Sequence, residues 1–300
     1  MSDIECILCN KHDLNLIYEG DIRDGIYPKT KKSKIFYCSH CNVETLDPSQ
    51  HLTIDNYSSD EYRSNLDQFD PYKHESEHFN HYLFANEIIS SMPIKFTGET
   101  ILDSGSASGK ILDMFGKNFI NKLAVEPSFK FKKILQKKKY TWFKTQSDVL
   151  KNYKNKVDLI ISSKVIEHVN NPLNYLKEIY DLLKEGGRAV ITTPNRQDVL
   201  LNSIGEKYFK FFYRTQHLWY FDSKSLTYTA NKAGFDEPLI EYKHFYNIDN
   251  FLVWYKTQKP AGKSNNIGIF DKKINDYWKS WLINNGTSDT MVLFLKKPYN

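Results

Sequence analysis

Apolar positions change their spacing near residue 99, and that change divides the chain. Thr100-Ile101-Leu102-Asp103 has the short apolar run of a buried strand, and every residue from Ser104 to Gly109 is small. Ile111, Leu112, Met114 and Phe115 then recur at helical spacing. Strand, small-residue loop and helix open a nucleotide-type βαβ unit, in which small residues let a ligand lie against the backbone. Leu123-Ala124-Val125-Glu126 predicts a second strand, Tyr140 to Phe143 a third, and Val157 to Ser162 a buried fourth. Asn170-Asn171-Pro172 marks a helix start, and Leu173, Leu176, Ile179, Tyr180 and Leu183 keep helical spacing after it. Gly186-Gly187 is expected to stop that helix, and Arg188 to Thr193 to form the fifth strand. Ser223 is expected to cap a helix that runs to Ala233 and ends at Gly234. Met291 to Lys296 reads as the last strand. Repeated strand–helix alternation predicts an α/β fold built on a parallel, doubly wound sheet.

Residues 1–50 read differently. They hold all 4 cysteines of the 300-residue chain, as Cys6-Ile7-Leu8-Cys9 and Cys38-Ser39-His40-Cys41, with 28 residues between the pairs. Two Cys-x-x-Cys knuckles offer four thiolates to one tetrahedral ion. Ile35-Phe36-Tyr37, just before the second knuckle, has a strand's pattern. The expectation is a structural Zn2+ held by Cys6, Cys9, Cys38 and Cys41, closed to substrate because all four positions are taken. Such an ion lets a short segment fold with little core. The rival is a redox Cys-x-x-Cys, which uses one pair beside a βαβ unit rather than two. His12 and His40 are spare donors that four cysteines make unnecessary.

Charge changes the picture little. Against 41 Lys and Arg stand 36 Asp and Glu, a net +5 that is too mild to suggest a nucleic-acid partner. The lysines at 130, 132, 133, 137, 138 and 139 read as a solvated helix face. No apolar run reaches the roughly 20 residues that span a bilayer, and the start MSDIECILCN lacks a basic stretch followed by an apolar one. These features predict a cytoplasmic protein with no membrane span, whose cysteines are not secreted disulfides. His74-Glu75-Ser76-Glu77-His78 spells HExxH without the surrounding apolar helix or a third ligand, so a solvated or lid helix is expected there.

The string ILDSGSASG, then AVEPS, DLIISSKVIEHVNNP and LLKEGGRAVITTPN, in that order and spacing over about residues 98–240, resembles the class I S-adenosylmethionine (SAM) methyltransferases. The branch with EHV after the fourth strand is the most similar. The resemblance implies a Rossmann-like seven-stranded doubly wound sheet preceded by a small zinc-ribbon-like module. It divides the chain into a zinc-binding module (1–50), a helical, tyrosine-rich lid and linker (51–97) and a SAM-dependent methyltransferase domain (98–300). It also assigns the cofactor site. Asp103, Gly105 and Gly109 shape the pocket around the methionine part. Ala107 stands where the family carries its middle glycine. Glu126 takes the ribose hydroxyls, Pro127 borders the adenine, and Asp148 meets its amino group. Ser162 and Ser163 sit near the sulfonium.

The ends of that domain suggest the acceptor. Tyr213-x-x-Gln216-His217-x-x-Tyr220 is similar to an element of zinc-containing deoxysugar C-methyltransferases, with Gln216 replacing a glutamate. Tyr37 before the second knuckle, Leu46-Asp47-Pro48, Tyr57 and Tyr62 look like the opening of methyltransferases of bacterial polysaccharide and nucleotide-sugar synthesis. The resemblance therefore implies O-methylation of a sugar hydroxyl on a nucleotide-linked sugar or surface glycan. His217 is the first candidate base and His168 the second. Tyr213 and Tyr220 are candidates to stack on the sugar or bond to it. The stretch 247–285 is a candidate cover for the acceptor site or a homodimer contact. An RNA base methyltransferase, a sugar C-methyltransferase and a non-catalytic SAM-binding partner are the alternatives.

Overall fold

The computed structural model of the protein describes residues 4–51, 73–91, 96–260 and 268–299. Tyr57, Tyr62 and most of the expected lid lie outside the described residues. A seven-stranded mixed sheet carries the fold. The strands used below are β4 (Gly98–Ser104), β5 (Phe119–Val125), β6 (Thr141–Phe143), β7 (Val157–Ser163), β8 (Leu183–Pro194), β10 (Leu239–Lys243) and β11 (Thr290–Lys296), in the order β10-β11-β8-β7-β4-β5-β6. The run from β6 to β8 is parallel throughout, with Leu102 opposite Leu123 on one side and Ile160 on the other. The expected Rossmann-like sheet is therefore present. Its central strands are apolar on both faces because helices cover both faces of such a sheet.

The chain resolves into two compact units. One comprises Met1–Gln50, Thr193–Ser225 and Ile240–Val292, and the other His51–Thr192, Leu226–Leu239 and Leu293–Asn300. In the second unit, helices α1 (Lys110–Phe115), α2 (Phe129–Lys137), α3 (Gln146–Tyr153) and α4 (Pro172–Leu182) alternate with the strands. Local chemistry starts them. Thr145 and Asp148 cap α3 reciprocally, the Asp148 N–H reaching Thr145 Oγ1 at 3.2 Å and the Thr145 hydroxyl donating to Asp148 Oδ2 at 2.8 Å. Asn171 caps α4 by accepting the Asn174 N–H at 3.0 Å, with Pro172 in the first turn. Lys132 of α2 lies 4.4 Å from the Trp142 ring centre, and Lys138, just past the helix end, pairs with Asp113 at 2.6 Å.

Two sequence expectations shift. The buried stripe of α4 is Tyr175, Leu176, Ile179 and Leu182, so Tyr175 belongs to the core. The helix ends at Leu182 without help from Gly186-Gly187, which lie inside β8. Leu183 pairs with Val157 and Arg188 with Leu159, so the strand bulges over these glycines. Gly186 has φ +70°, and a Cβ on Gly187 would sit 2.8 Å from the Lys184 carbonyl oxygen and 2.9 Å from that of Val157. The glycines thus let one strand kink.

The first unit contains a four-stranded antiparallel sheet of β1 (Leu14–Arg23), β2 (Thr30–Cys38), β3 (Glu44–Leu46) and β9 (Trp219–Tyr220), in that order. Its last strand comes from far along the chain: Glu44 pairs with Tyr220 and Thr45 with Trp219. After the short helix α5 (Val199–Ile204), helix α6 (Glu206–Phe212) lays its aromatics on this sheet, with Tyr18 stacked edge-on against Phe209 at 5.5 Å. Tyr208, Phe212, Tyr213, Trp219, Tyr220 and Phe221 are all buried. Tyr213 and Tyr220, the candidates to stack on an acceptor sugar, are thus part of the core. The helix after them, α7 (Ser223–Lys232), starts one residue earlier than expected, with Asp222 rather than Ser223 as its cap: Asp222 Oδ1 accepts the Ser225 N–H at 2.8 Å. Among the described residues no helix is long and apolar enough to cross a membrane.

Candidate cofactor and metal sites

The second unit assembles the expected cofactor loop. Asp103 ends in the sheet beside Ser104, and the backbone then makes three left-handed turns at Gly105 (φ +81°), Ala107 (φ +45°) and Gly109 (φ +82°). Two of these positions exclude any side chain. A Cβ on Gly105 would lie 2.3 Å from Val165 Cγ2, and one on Gly109 would lie 2.8 Å from Leu135. Ala107 adopts the same left-handed backbone with a methyl group, at about 1 kcal/mol or more over glycine. Its amide is held there: the Ala107 N–H donates to Glu126 Oε2 at 2.9 Å, and the Ser128 N–H to Glu126 Oε1 at 2.9 Å. Glu126 thus ties the loop to the end of β5, where Pro127 follows. Ala107→Gly should leave stability unchanged or raise it by up to about 1 kcal/mol, whereas Ala107→Val should cost about 2 kcal/mol or more. Urea midpoints check this, and a valine chain as stable as the glycine chain would refute the strained-loop account.

What this loop leaves unsatisfied points to a ligand. Asp103 Oδ2 and the hydroxyls of Ser106 and Ser108 are buried with no hydrogen-bond partner. Burial, aided by the charges of Glu126 and Asp113, pushes the Asp103 carboxyl well above the usual carboxylate range. Native structures seldom orphan buried polar atoms, and three in one loop are three places for a polar ligand to bond. The residues present therefore fit SAM, whose ammonium, carboxylate and ribose need such partners.

The other expected cofactor residues are placed as follows. Ser162 is fully buried in a chain of hydroxyls: it meets the Tyr175 hydroxyl at 2.7 Å, Tyr175 donates to Ser104 Oγ at 2.9 Å, and Ser104 to Gln146 Oε1 at 2.8 Å. Burial raises the Tyr175 hydroxyl well above its ordinary acidity range. This network braces the carboxyl ends of β4 and β7; Ser104 and Ser162 of it stand in the motifs, whereas Tyr175 and Gln146 lie outside them. Ser163 Oγ lies 3.1 Å from Thr192 Oγ1. Asp148 is occupied in its helix cap and in an ion pair with Lys151 at 2.8 Å, which holds its carboxyl below the usual range. His168 ends a short 3-10 turn, its N–H donating to the Val165 carbonyl at 2.9 Å. The His74 and His78 rings stack at 4.3 Å, and His78 Nδ1 lies 3.1 Å from the His74 carbonyl oxygen. They are not among the metal-capable clusters of the described residues.

In the first unit the four cysteines converge. Their sulfurs all lie within 4.8 Å of one another, with Cys6 Sγ 3.6 Å from Cys41 and Cys9 Sγ 3.5 Å from Cys38. A tetrahedral ion with bonds of about 2.3 Å holds sulfurs about 3.8 Å apart, whereas a disulfide needs about 2.05 Å. All four are buried free thiols. Crowding splits their acidities: the adjacent Cys41 thiol lowers Cys6 to about 5, and Cys41 is raised in return. Both knuckles close the same way. The N–H of Asn10 donates to the Cys6 carbonyl and that of Asn42 to the Cys38 carbonyl, with both asparagines left-handed (φ 57° and 58°). The signal is Cys-x-x-Cys-Asn at both sites, since asparagine tolerates that conformation. The donor set and spacing fit zinc.

The remaining candidates also fall in the first unit. His217 is buried, its N–H donating to the Arg214 carbonyl at 3.2 Å and its ring 5.9 Å from that of Tyr220. Tyr213 donates its hydroxyl to Glu44 Oε2 at 3.0 Å, and the Tyr220 hydroxyl accepts the Arg214 N–H at 2.8 Å. Burial raises both phenols, so both stay protonated donors near neutral pH. An ion-pair cluster absent from the sequence reading lies beside them. Arg196 Nη1 is 3.1 Å from Glu44 Oε1 and Nη2 is 2.6 Å from Asp222 Oδ2, all three side chains being largely buried.

Relatives agree with this architecture. Part of the chain is similar to a ubiquinone biosynthesis O-methyltransferase of Dinoroseobacter shibae, at 26% identity over 155 residues covering 48% of this chain and 62% of that protein. A protein of the same name from Ruegeria pomeroyi is 38% identical over 52 residues, covering 17% and 21%. The matches thus span less than two thirds of those curated relatives. A phosphoethanolamine N-methyltransferase 2 of Haemonchus contortus, solved with phosphomonomethylethanolamine and S-adenosylhomocysteine, shares the fold at a TM-score of 0.53 and 17% identity, over 93% of this chain and 71% of that one. A family profile described as a methyltransferase domain matches residues 76–237, more than half of the chain. With the small-residue loop, the acid after β5 and the seven-stranded sheet in place, the chain belongs to that methyltransferase-domain family.

Proposed function

We propose that this protein transfers a methyl group from SAM to a hydroxyl of a small-molecule acceptor, with a sugar hydroxyl of a nucleotide-linked sugar or surface glycan as the acceptor class. The observation that carries the SAM reading is the loop 103–109, where Asp103 Oδ2 and the Ser106 and Ser108 hydroxyls are buried without partners beside two glycines that admit no side chain. SAM, when bound, supplies a methyl group already activated on a positively charged sulfur. The chain's own residues hold and align. Asp103 offers an acceptor to the methionine ammonium, Glu126 accepts ribose hydroxyls, and Pro127 borders the adenine. Ser162 and Ser163 bound the end of β7, and Asp148 is the adenine contact. Because the methyl is activated, alignment and proton removal are the protein's share of catalysis.

His217 takes the acceptor proton in this reading, with His168 as the second candidate. Residues 98–300 carry methyl transfer, residues 51–97 cover the substrate, and Cys6, Cys9, Cys38 and Cys41 hold a structural zinc within residues 1–50. The protein works in the cytoplasm on a small molecule or glycan. The names of the relatives support O-methylation, and their place in ubiquinone biosynthesis favours a second acceptor class, a quinone precursor.

Tritiated methyl transfer from SAM into nucleotide sugars, lipid-extracted quinone precursors and RNA separates the readings. Label in the nucleotide-sugar fraction supports the first acceptor class, and label in the lipid fraction replaces it with the second. Label in RNA, or in none, overturns the proposal. His217→Asn should keep SAM binding and lower turnover about a hundredfold or more. Unchanged turnover removes His217 from the base role.

A further inference from the structure

Two arginines of the first unit occupy bridged backbone positions and have no carboxylate partner among the described residues. Arg23 ends β1 and forms a parallel bridge with Arg214. The Arg23 N–H donates to the Tyr213 carbonyl at 2.9 Å, and the Thr215 N–H to the Arg23 carbonyl at 3.0 Å. Residues bridged in this way share one face of the ladder. Arg23 is only 9% exposed, and its Nε and Nη2 are buried with no acceptor. Its guanidinium lies 4.3 Å from the centre of the Phe211 ring, which is its one described contact. Nε of Arg214 is likewise buried without an acceptor.

The neighbouring acid does not compensate them. Asp24 accepts the Thr215 hydroxyl at 2.8 Å and pairs with Lys29 at 3.1 Å. The contrast within the same unit is Arg196, whose guanidinium is gripped by two carboxylates. Stripping water from a cation without supplying an anion is strongly unfavourable. Two such cations at adjacent positions, one of them nine-tenths buried, are therefore incomplete without an anion. The Arg214 carbonyl also receives the His217 N–H, so the pair sits next to the proposed base in the chain's own hydrogen bonding.

We propose that Arg23 and Arg214 bind a phosphoryl group carried by the methyl acceptor, as on a sugar linked to a nucleoside diphosphate; this rests on the sugar O-methyltransferase reading above. Two guanidinium groups bring two positive charges, which one carboxylate neutralises only in part. The bridged diphosphate of such a nucleotide-linked sugar carries one negative charge on each phosphoryl group, about −2 in all, and guanidinium forks grip phosphoryl oxygens two at a time. The arginines anchor the substrate; they take no part in methyl transfer.

The test is calorimetry on the full-length protein with inorganic pyrophosphate and with a nucleoside diphosphate, at ionic strength fixed with sodium chloride. Wild type should bind both, and Arg23→Met and Arg214→Met should each weaken binding about tenfold or more. Arg23→Lys and Arg214→Lys keep the charge but lose the fork, so they should fall between, which keeps the result readable if a methionine variant misfolds. SAM binding, measured on the same samples, should be unchanged in all four. No binding by wild type, or undiminished binding in the variants, overturns the site. Binding of the diphosphate alone places the affinity in the nucleoside and also overturns it. A short RNA that binds more tightly than the diphosphate, and loses affinity steeply with salt, replaces the small-molecule acceptor with RNA. Failure of SAM to bind would instead strike the methyltransferase reading, independently of these outcomes.

Discussion

Cys38→Ser should abolish stoichiometric zinc and unfold the N-terminal sheet. The sheet β1–β2–β3 carries both knuckles at its ends, and each knuckle hangs its closing hydrogen bond on a cysteine carbonyl. Structural zinc sites of this type contribute apparent binding energies on the order of 10 kcal/mol, which appear directly as folding energy. Removing one thiolate leaves three ligands and a buried hydroxyl. The damage should travel, because β3 pairs with β9: Thr45 donates its hydroxyl to the Leu218 carbonyl at 2.9 Å, and the Leu46 N–H donates to that same carbonyl at 3.0 Å. Metal analysis should find about one zinc per wild-type chain and none in the variant. Amide exchange across Leu14–Arg23 and Leu218–Tyr220 should lose its protection, as it should in wild type treated with a strong chelator. A metal-free chain with these amides still protected would refute the structural-zinc account.

Arg196→Met should cost about 3–5 kcal/mol of stability. The substitution is close in length and apolar, so packing changes little. What changes is charge: Glu44 and Asp222 are left as two buried carboxylates side by side. Burial already pushes the Glu44 carboxyl upward despite the Arg196 guanidinium beside it. Without Arg196 both carboxyls must take up protons or water. Asp222 also caps α7 through its other oxygen, so its displacement loosens a helix start as well. The triple variant Arg196→Met, Glu44→Gln, Asp222→Asn should recover most of the loss, because breaking a buried ion pair costs more than replacing it whole. Urea unfolding followed by tryptophan fluorescence reads both. A single variant within about 1 kcal/mol of wild type, or a triple variant no better than the single, would show that the cluster is idle.

Much of the cofactor site was legible in the sequence because its logic is local. A strand, a loop of small residues and a helix are consecutive, and Asp103, Gly105 and Gly109 stand where a turn with no room for side chains needs them. Glu126 follows one strand later. The cysteine knuckles were legible for the same reason, since each pair closes within a few residues. Even Ala107 announced itself as the odd residue of the loop, although its left-handed backbone and the hydrogen bond from its N–H to Glu126 did not.

The errors share a cause. Gly186-Gly187 looked like a helix stop because glycine ends helices, yet here the chain turns into β8 before reaching them, and they serve a bulge against β7. Tyr175 stands outside the helical spacing of Leu173, Leu176, Ile179, Tyr180 and Leu183, yet it is buried while Leu173 and Tyr180 are only half-buried. It is core because its hydroxyl closes a chain from Ser162 to Gln146 that no single segment contains.

By itself the sequence determined the alternation of strand and helix, the order of the motifs, the four-thiolate set and the small-residue loop, all of which depend on neighbours a few residues apart. Only the tertiary structure decided where the aromatic stretch 208–221 goes. Pairing of Thr45 with Trp219 draws it into the core of the cysteine-bearing unit, turning Tyr213 toward Glu44 and Tyr220 toward Arg214. It also decided that Arg196 has two carboxylates while, among the described residues, Arg23 and Arg214 have none. A side chain's charge is written in the sequence, but whether that charge is buried and paired depends on contacts between segments distant along the chain.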